Sequence, residues 1–192
     1  MNDAYMFGDG QWVNTGGGVR ELATGKPASF GQDSGRQSMV DTSFTGSAGR
    51  VFKVIDSVGF SSRMQFQPWD TGTDKAVSPE LNVSSVLANP ASPVFLAVDG
   101  DAWSNNATVA AYDWATGEQK WQKPFPSAYQ SPGPLVGGFW VSDSDWTITA
   151  YDELTGDVKW HDGSTNRTDS LLVLPNAVCA IDYDGNLYVL HG

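Results

Sequence analysis

The chain has 192 residues, of which 40% are hydrophobic and 12% aromatic, enough for a sizeable core but too polar for a membrane-spanning bundle. Its 22 Asp and Glu residues outnumber 11 Lys and Arg residues, which gives a formal net charge of −11 and makes nucleic acid and anionic lipid poor partners. Apolar runs such as 94–98 and 171–174 are far shorter than the roughly 20 residues of a transmembrane helix, so no direct membrane insertion is expected.

Short strands, rather than helices, are predicted along the chain. Runs rich in Val, Ile, Phe, Tyr and Trp recur between turn signals, and 21 Gly and 10 Pro residues punctuate the sequence. Even spacing of short strands is typical of an all-β repeat fold. In chain order, the predicted strands lie at residues 51–55, 94–98, 108–112, 139–141, 147–151, 177–181 and 187–190.

An internal repeat supports this interpretation. Residues 111–121 (AYDWATGEQKW) align without gaps on residues 150–160 (AYDELTGDVKW), at an offset of 39 residues. That offset is close to the length of one four-stranded propeller blade. Earlier Thr-Gly pairs beginning at Thr24 and Thr71 indicate two degenerate copies, and a fifth copy begins at Ala177 and stops before a Thr-Gly pair of its own.

The motif predicts how the third and fourth strands of a blade connect. Its Gly is expected to take a positive φ in a tight turn, and its Asp is expected to accept hydrogen bonds from turn N–H groups. Its final Trp is expected to pack between neighbouring sheets. The residues predicted to hold the blades together are Ala111, Asp113, Thr116, Gly117 and Trp121 in one copy and Ala150, Asp152, Thr155, Gly156 and Trp160 in the other.

The pattern A-x-D-x-x-T-G-x-x-x-W resembles the PQQ-like repeat of quinoprotein dehydrogenases and of their many non-enzymatic relatives. The resemblance implies a β-propeller of four-stranded antiparallel blades, about four or five of them in this chain. Because propellers of this family usually have more blades, we expect part of a larger propeller, with a small five-bladed ring as the alternative. Open blade edges would favour self-association. The approximate units are residues 1–30, 31–78, 79–123, 124–162 and 163–192.

The enzymatic branch of this family binds pyrroloquinoline quinone and Ca²⁺ and often carries a vicinal disulfide. This chain has a single cysteine, Cys179, and no run of carboxylates that could be assigned to a quinone-bound calcium. We therefore expect neither enzymatic activity nor a cofactor. The acidic pairs at residues 99–101, 143–145 and 182–184 are interpreted as solvated turns, with a structural Ca²⁺ site as the alternative.

The resemblance thus implies a non-catalytic scaffold for protein–protein interaction or ligand sensing. Trp103, Trp140 and Trp146 lie outside the motif positions and are predicted contact residues for a protein partner, with blade packing as the alternative. Competing hypotheses are a fragment of a quinoprotein dehydrogenase and a carbohydrate-binding propeller whose aromatic residues stack on sugar rings. The resemblance also implies a location outside the cytoplasm, in the periplasm, at the cell surface or secreted, although residues 1–5 carry no signal peptide features.

Overall fold

The strand-forming runs of the sequence become strands of antiparallel sheets. The computed structural model describes residues 5–7, 12–14, 19–28, 39–40, 50–57, 63–89, 92–100, 107–125, 133–135, 137–142, 147–162, 168–174 and 177–191. Within these ranges the regular secondary structure consists of β-strands alone, so the prediction of an all-β chain is confirmed. No helix in the described ranges is long and apolar enough to cross a membrane.

The described strands form five sheets, numbered here in chain order. Sheet 1 contains β1 (Tyr5–Phe7), β2 (Trp12–Asn14) and β3 (Val19–Glu21). Sheet 2 contains β4 (Met39–Val40), β5 (Arg50–Ser57), β6 (Met64–Asp70), β7 (Lys75–Ala76) and β8 (Leu81–Val83). Sheet 3 contains β9 (Ser85–Ala88), β10 (Val94–Asp99), β11 (Ala107–Asp113) and β12 (Gln119–Phe125). Sheet 4 contains β13 (Gly133–Leu135), β14 (Gly138–Ser142), β15 (Ile148–Asp152) and β16 (Val158–Asp162), and sheet 5 contains β17 (Thr168–Leu174), β18 (Ala177–Asp182) and β19 (Leu187–His191).

Except for β8 in sheet 2, each strand pairs with the next strand of its sheet along the chain, so the sheets are antiparallel meanders of the kind that forms a propeller blade. One strand departs from the predicted units: β8 lies beyond residue 78, where the second unit is predicted to end, and it pairs with β6 of sheet 2. In the part of the chain that the structure describes, the sheets form an open ring. The alternative of a small five-bladed closed ring is therefore wrong.

The apolar core lies between neighbouring sheets. Residues 94–98 of β10 are all buried, although the side chains of a strand alternate between its two faces. Phe95 clusters with Phe52 of sheet 2, whereas Leu96 clusters with Phe139 of sheet 4. A strand that is covered on both faces needs a continuous apolar run, which is why this segment does not alternate.

The Ala of the repeat motif has a packing role. Ala111 pairs with Trp121 and Ala150 pairs with Trp160, and the register shifts immediately after each of these pairs. Both Ala side chains are fully buried. A small residue at this position leaves room for the indole on the neighbouring strand, and the bulge that follows increases the local twist.

Candidate interaction site at the sheet junctions

A hydrogen-bonded turn joins β11 to β12. The Oδ1 atom of Asp113 accepts hydrogen bonds from the backbone N–H groups of Ala115 (2.8 Å) and Thr116 (3.1 Å). Gly117, at φ 71°, donates its N–H to the carbonyl of Asp113 (2.8 Å), and the hydroxyl of Thr116 accepts from the N–H of Glu118 (3.3 Å). The hydrogen bond from Ala115 is the main reason that the pKa of Asp113 is lowered. The Asp, Thr and Gly of the motif are thus all engaged in closing the turn.

The turn between β15 and β16 has the same construction. Asp152 Oδ1 accepts from the N–H groups of Leu154 (2.8 Å) and Thr155 (3.1 Å). Gly156, at φ 68°, donates to the carbonyl of Asp152 (2.8 Å), and the Thr155 hydroxyl accepts from the N–H of Asp157 (3.2 Å). The sequence identity between the two copies therefore reflects one shared backbone geometry.

The first degenerate copy has the same turn geometry, with a Glu in place of the motif Asp. Gly25, at φ 68°, donates its N–H to the carbonyl of Glu21 (2.8 Å), and the hydroxyl of Thr24 accepts from the N–H of Lys26 (3.2 Å). The Thr24 hydroxyl itself donates to the Glu21 carboxylate. Glu21 therefore takes the place of the motif Asp, with its longer side chain bound to the Thr.

In the second degenerate copy, the turn lies two residues later than the Thr-Gly pair suggests. Asp70 Oδ1 accepts from the N–H groups of Gly72 (2.8 Å) and Thr73 (3.2 Å), which makes Asp70 the equivalent of the motif Asp. The left-handed position is occupied by Asp74, at φ 55°, since Asp tolerates this conformation better than most residues. The placement of this turn at Thr71 and Gly72 is therefore wrong by two residues.

The motif Trp of sheet 3 contacts the turn of sheet 4. Trp121 Nε1–H donates to the carbonyl of Glu153 (3.1 Å), and its ring lies parallel to that of Phe139, with centroids 6.2 Å apart. A Cβ atom on Gly156 would lie 3.1 Å from Cε3 and Cζ3 of Trp121. An ion pair between Lys123 and Asp157 (2.8 Å) lies beside this contact. The junction therefore combines packing, one hydrogen bond and one exposed ion pair.

The junction between sheets 2 and 3 uses the same positions with different side chains. A Cβ on Gly117 would lie 2.8 Å from the Cβ of Ser78 and would also collide with the carbonyl of Val77. Ser78 follows Asp70 by as many residues as Trp121 follows Asp113. The turn glycine of one sheet thus packs on the same position of the preceding sheet at both junctions.

The residue after the motif Asp is buried at both junctions. In sheet 3 it is Trp114, 3% exposed, whose ring contacts Phe52 (centroids 5.1 Å apart) and Phe95 (4.6 Å). The guanidinium carbon of Arg50 lies 5.5 Å from the centroid of Trp114. In sheet 4 the equivalent residue is Glu153, which is 7% exposed. An acid thus occupies a position that is apolar in the preceding sheet.

Glu153 lines a small pocket between sheets 3 and 4, together with Leu87, Asn89 and Phe139. Burial raises the pKa of its carboxyl, whereas hydrogen bonds with Ser92 and Asn89 lower this pKa. The negative charge of the neighbouring Asp152 raises this pKa further, and the positive charge of Lys159 lowers it. Glu153 is not among the residues predicted from the sequence, because its motif position alone gives no signal of burial.

Of the predicted contact residues, Trp103 and Trp146 lie outside the described residues. Trp140 is partly buried and packs against the cluster formed by Leu135, Ala150 and Val178, and any side chain at Gly133 would collide with its indole. This environment corresponds to the blade-packing alternative for Trp140. A role for these tryptophans in binding a partner stays a prediction.

The acidic pair at residues 182–184 forms a closed turn. The carboxylate of Asp182 accepts hydrogen bonds from Asp184 N–H (3.0 Å), from Asn186 N–H (2.8 Å) and Nδ2 (2.9 Å), and from the Tyr188 hydroxyl (2.9 Å). The side-chain hydrogen bond from Asn186 is the main cause of the lowered pKa of Asp182. In the same contact, Asp182 raises the pKa of Tyr188.

The other acidic pairs are described only in part. Asp99 forms an ion pair with Arg63, while Asp101, Asp143 and Asp145 lie outside the described residues. Among the residues that the structure describes, no group of three or more His, Cys, Asp or Glu side chains could hold a metal ion.

A family model described as outer membrane protein assembly factor BamB matches residues 64–192. None of the curated proteins compared with the chain matches it. The matched range begins at the first residue of β6 and includes sheets 3, 4 and 5. It therefore contains both complete copies of the motif and the junction of sheets 3 and 4, whereas Arg50 and Phe52, which contact Trp114, lie before it.

Solved structures with the same architecture include a natural and two designed proteins. BamB from Moraxella catarrhalis superposes with a TM-score of 0.60 at 16% identity, covering 97% of this chain and 57% of that one. The computationally designed Ika8 protein has a TM-score of 0.57 at 18% identity, and the match covers 95% of this chain and 53% of Ika8. The computationally designed Ika4 protein has a TM-score of 0.54 at 21% identity, and the match covers 84% of this chain and 98% of Ika4. At these identities the likeness shows the fold, and it confirms the predicted β-propeller. The chain spans little more than half the length of BamB and Ika8.

Proposed function

Because the chain belongs to the family of the outer membrane protein assembly factor BamB, we propose that it is a non-catalytic propeller scaffold that binds a protein partner during the assembly of outer membrane proteins. The observation that carries this proposal is the family match over residues 64–192. The location that goes with this role is the periplasmic side of the outer membrane, in keeping with the extracytoplasmic location expected from the repeat.

The contacts that the motif side chains make support the proposed role as a scaffold. Asp113 and Asp152 bind the N–H groups of their own turns, and Trp121 binds the turn of the next sheet. Side chains that are committed to turns and sheet packing contribute rigidity rather than chemistry. On a rigid scaffold, specificity for a partner is carried by the loops between strands.

The role in assembly can be tested in bacterial cells that lack their own BamB. The chain is exported to the periplasm with an added signal peptide, and the amount of folded outer membrane protein is measured against cells that carry an empty vector. We expect the chain to raise this amount. A matched control is the double variant Trp121→Ala, Phe139→Ala, which removes the packing between sheets 3 and 4 and should lower the effect. A folded, exported chain that leaves the amount of folded protein unchanged would contradict the role in assembly.

The non-catalytic part of the proposal has a separate test. The purified chain is titrated with pyrroloquinoline quinone in the presence of Ca²⁺, and the quinone absorbance is recorded. We expect no saturable change, whereas saturable binding would favour the quinoprotein alternative. A glycan array, on which we expect no binding, tests the carbohydrate alternative in the same preparation.

A further inference from the structure

The strand register gives equivalent positions at the two junctions. Arg50 of β5 pairs with Asp70, the motif Asp of sheet 2, and Val94 of β10 pairs with Asp113, the motif Asp of sheet 3. Arg50 and Val94 therefore occupy the same place in two successive sheets. What each of them faces on the following sheet can be compared directly.

Arg50 brings a positive charge to the junction of sheets 2 and 3. Its guanidinium carbon lies 5.5 Å from the ring centroid of Trp114, the residue after the motif Asp of sheet 3, and its Nη1 donates to the carbonyl of Ser92 (3.2 Å). An aromatic face attracts such a cation. At this junction, a cation of one sheet thus faces the residue after the motif Asp of the next sheet.

The junction of sheets 3 and 4 has the opposite distribution of charge. The residue after the motif Asp is Glu153, and the equivalent of Arg50 is the uncharged Val94. Both residues line the pocket between sheets 3 and 4. This junction therefore carries a negative charge without the cation that the preceding junction has at the same place.

The other contacts of Glu153 leave its charge unbalanced. The hydrogen bonds of its carboxylate are with Ser92 and Asn89, which are neutral. Lys159 instead donates to the carbonyl of Gly137 (3.2 Å). Among the residues that the structure describes, no basic side chain forms an ion pair with Glu153. A buried charge without a counter-charge destabilises a fold, and proteins tolerate such a loss where function requires it.

The pocket has the size of an ammonium group. Its volume is about 10 Å³, roughly the space that one water molecule needs, and an ammonium group is about as large as water whereas a guanidinium group is larger. Leu87, Leu96 and Phe139 provide apolar walls, along which the methylene chain of a lysine can pack. Asn89, in the connection from β9 to β10, is partly exposed, so a ligand can approach the pocket from this end of the sheets.

We propose that the pocket between sheets 3 and 4 binds the ammonium group of a lysine side chain of the protein partner, with the carboxylate of Glu153 as the counter-charge. The lysine places a cation at this junction, as Arg50 does at the preceding one. This inference rests on the proposed binding of a protein partner, and it specifies one side chain that the partner contributes.

A titration with n-butylammonium chloride tests the proposal, because this probe has the chain and the charge of a lysine side chain. Binding is followed by the NMR signal of the indole N–H of Trp121, which donates to the carbonyl of Glu153. At mildly alkaline pH we expect a saturable shift of this signal. Tetramethylammonium has the same charge but is larger than the pocket, so it should cause no saturable shift.

The decisive variant is Glu153→Gln. We expect it to weaken binding of n-butylammonium at least about tenfold, because the counter-charge is lost. The matched control is Glu118→Gln, which removes an exposed carboxylate from the turn of sheet 3 and should bind the probe like the unmodified chain. The proposal is overturned if the unmodified chain shows no saturable shift, or if the two variants bind the probe equally.

Val94→Lys supplies the ammonium group from within the chain and provides a second measurement. This variant should lose the response to n-butylammonium and should melt at a higher temperature than the double variant Val94→Lys, Glu153→Gln. Both carry the same change in packing, so the difference isolates the ion pair, and equal melting temperatures would contradict it. None of these measurements involves an outer membrane protein, so a failure of the pocket and a failure in the assembly assay are distinguishable.

Discussion

Trp121 and Gly156 meet across the junction of sheets 3 and 4, where a Cβ atom on Gly156 would lie 3.1 Å from two carbon atoms of the indole ring. Gly156 also has φ 68°, a conformation in which a side chain is strained. The glycine is thus required twice, once by the turn and once by the neighbouring sheet. The repeat motif therefore specifies the contact between sheets as well as the turn within one sheet.

The two requirements can be separated with Gly156→Ala and Gly25→Ala. Gly25 has the same φ of 68°, but a Cβ on it would meet nothing within 4 Å. The backbone strain of about 1–2 kcal/mol should apply to both variants, whereas only Gly156→Ala should add an overpacking cost of about 1–3 kcal/mol. Urea denaturation measures both losses. Equal losses of stability would show that the indole yields without cost.

The hydrogen bond of Trp121 gives a second prediction. Trp121→Phe removes the donor to the carbonyl of Glu153 and part of the packed ring, and we expect a loss of about 1–3 kcal/mol in the free energy of unfolding. Trp69→Phe is the control, because Trp69 Nε1 donates to the exposed carboxylate of Asp74 at 3.3 Å, a weaker bond. Thermal melts of the two variants should differ, and a larger loss at Trp69 would contradict the role given to Trp121.

The sequence predicts the fold well where the motif is complete. The Asp, Thr and Gly positions of residues 111–121 and 150–160 imply a turn, and the structure has the same turn in both copies. The sequence misplaces the turn near Asp70, because a Thr-Gly pair lies inside this turn while Asp74 supplies its left-handed residue. A glycine is a good signal for positive φ, but Asp can substitute for it.

The junctions between sheets could not be predicted in the same way, because they depend on contacts between distant residues. Within the motif, Glu153 is buried whereas its neighbour Leu154 is 51% exposed, the reverse of what hydropathy favours. Glu153 lines a pocket together with Leu87 of sheet 3 and with Asn89, residues that are distant in the sequence and whose proximity no local pattern specifies.

The turn around Asp182 should make the chain sensitive to acid. Hydrogen bonds in the folded state lower the pKa of Asp182 from its ordinary value of 3.8, so this carboxylate contributes stability above that value and loses it as the pH falls through the folded-state pKa. Asp182→Asn should lower the melting temperature at neutral pH, and its difference from the unmodified chain should shrink in acid. Tyr188→Phe, which removes one of the donors, should have a smaller effect. A difference that is independent of pH would contradict this assignment.

Glu153 should have the opposite dependence on pH. Burial raises the pKa of its carboxyl above the ordinary value of 4.5, so the folded chain holds this proton more tightly than the unfolded chain does. The resulting stability is fully present below 4.5 and is lost as the pH rises through the folded-state pKa. Glu153→Gln keeps a side-chain oxygen available to Ser92 and Asn89 but carries no charge, so it should match the unmodified chain in acid and melt at a higher temperature at neutral and mildly alkaline pH. Leu154→Gln, at the exposed neighbouring position, is the control and should leave the pH dependence of the melting temperature unchanged. If Glu153→Gln instead lowers the melting temperature most strongly at alkaline pH, the carboxylate of Glu153 is stabilised by its charge, and the pocket between sheets 3 and 4 favours the ionised form.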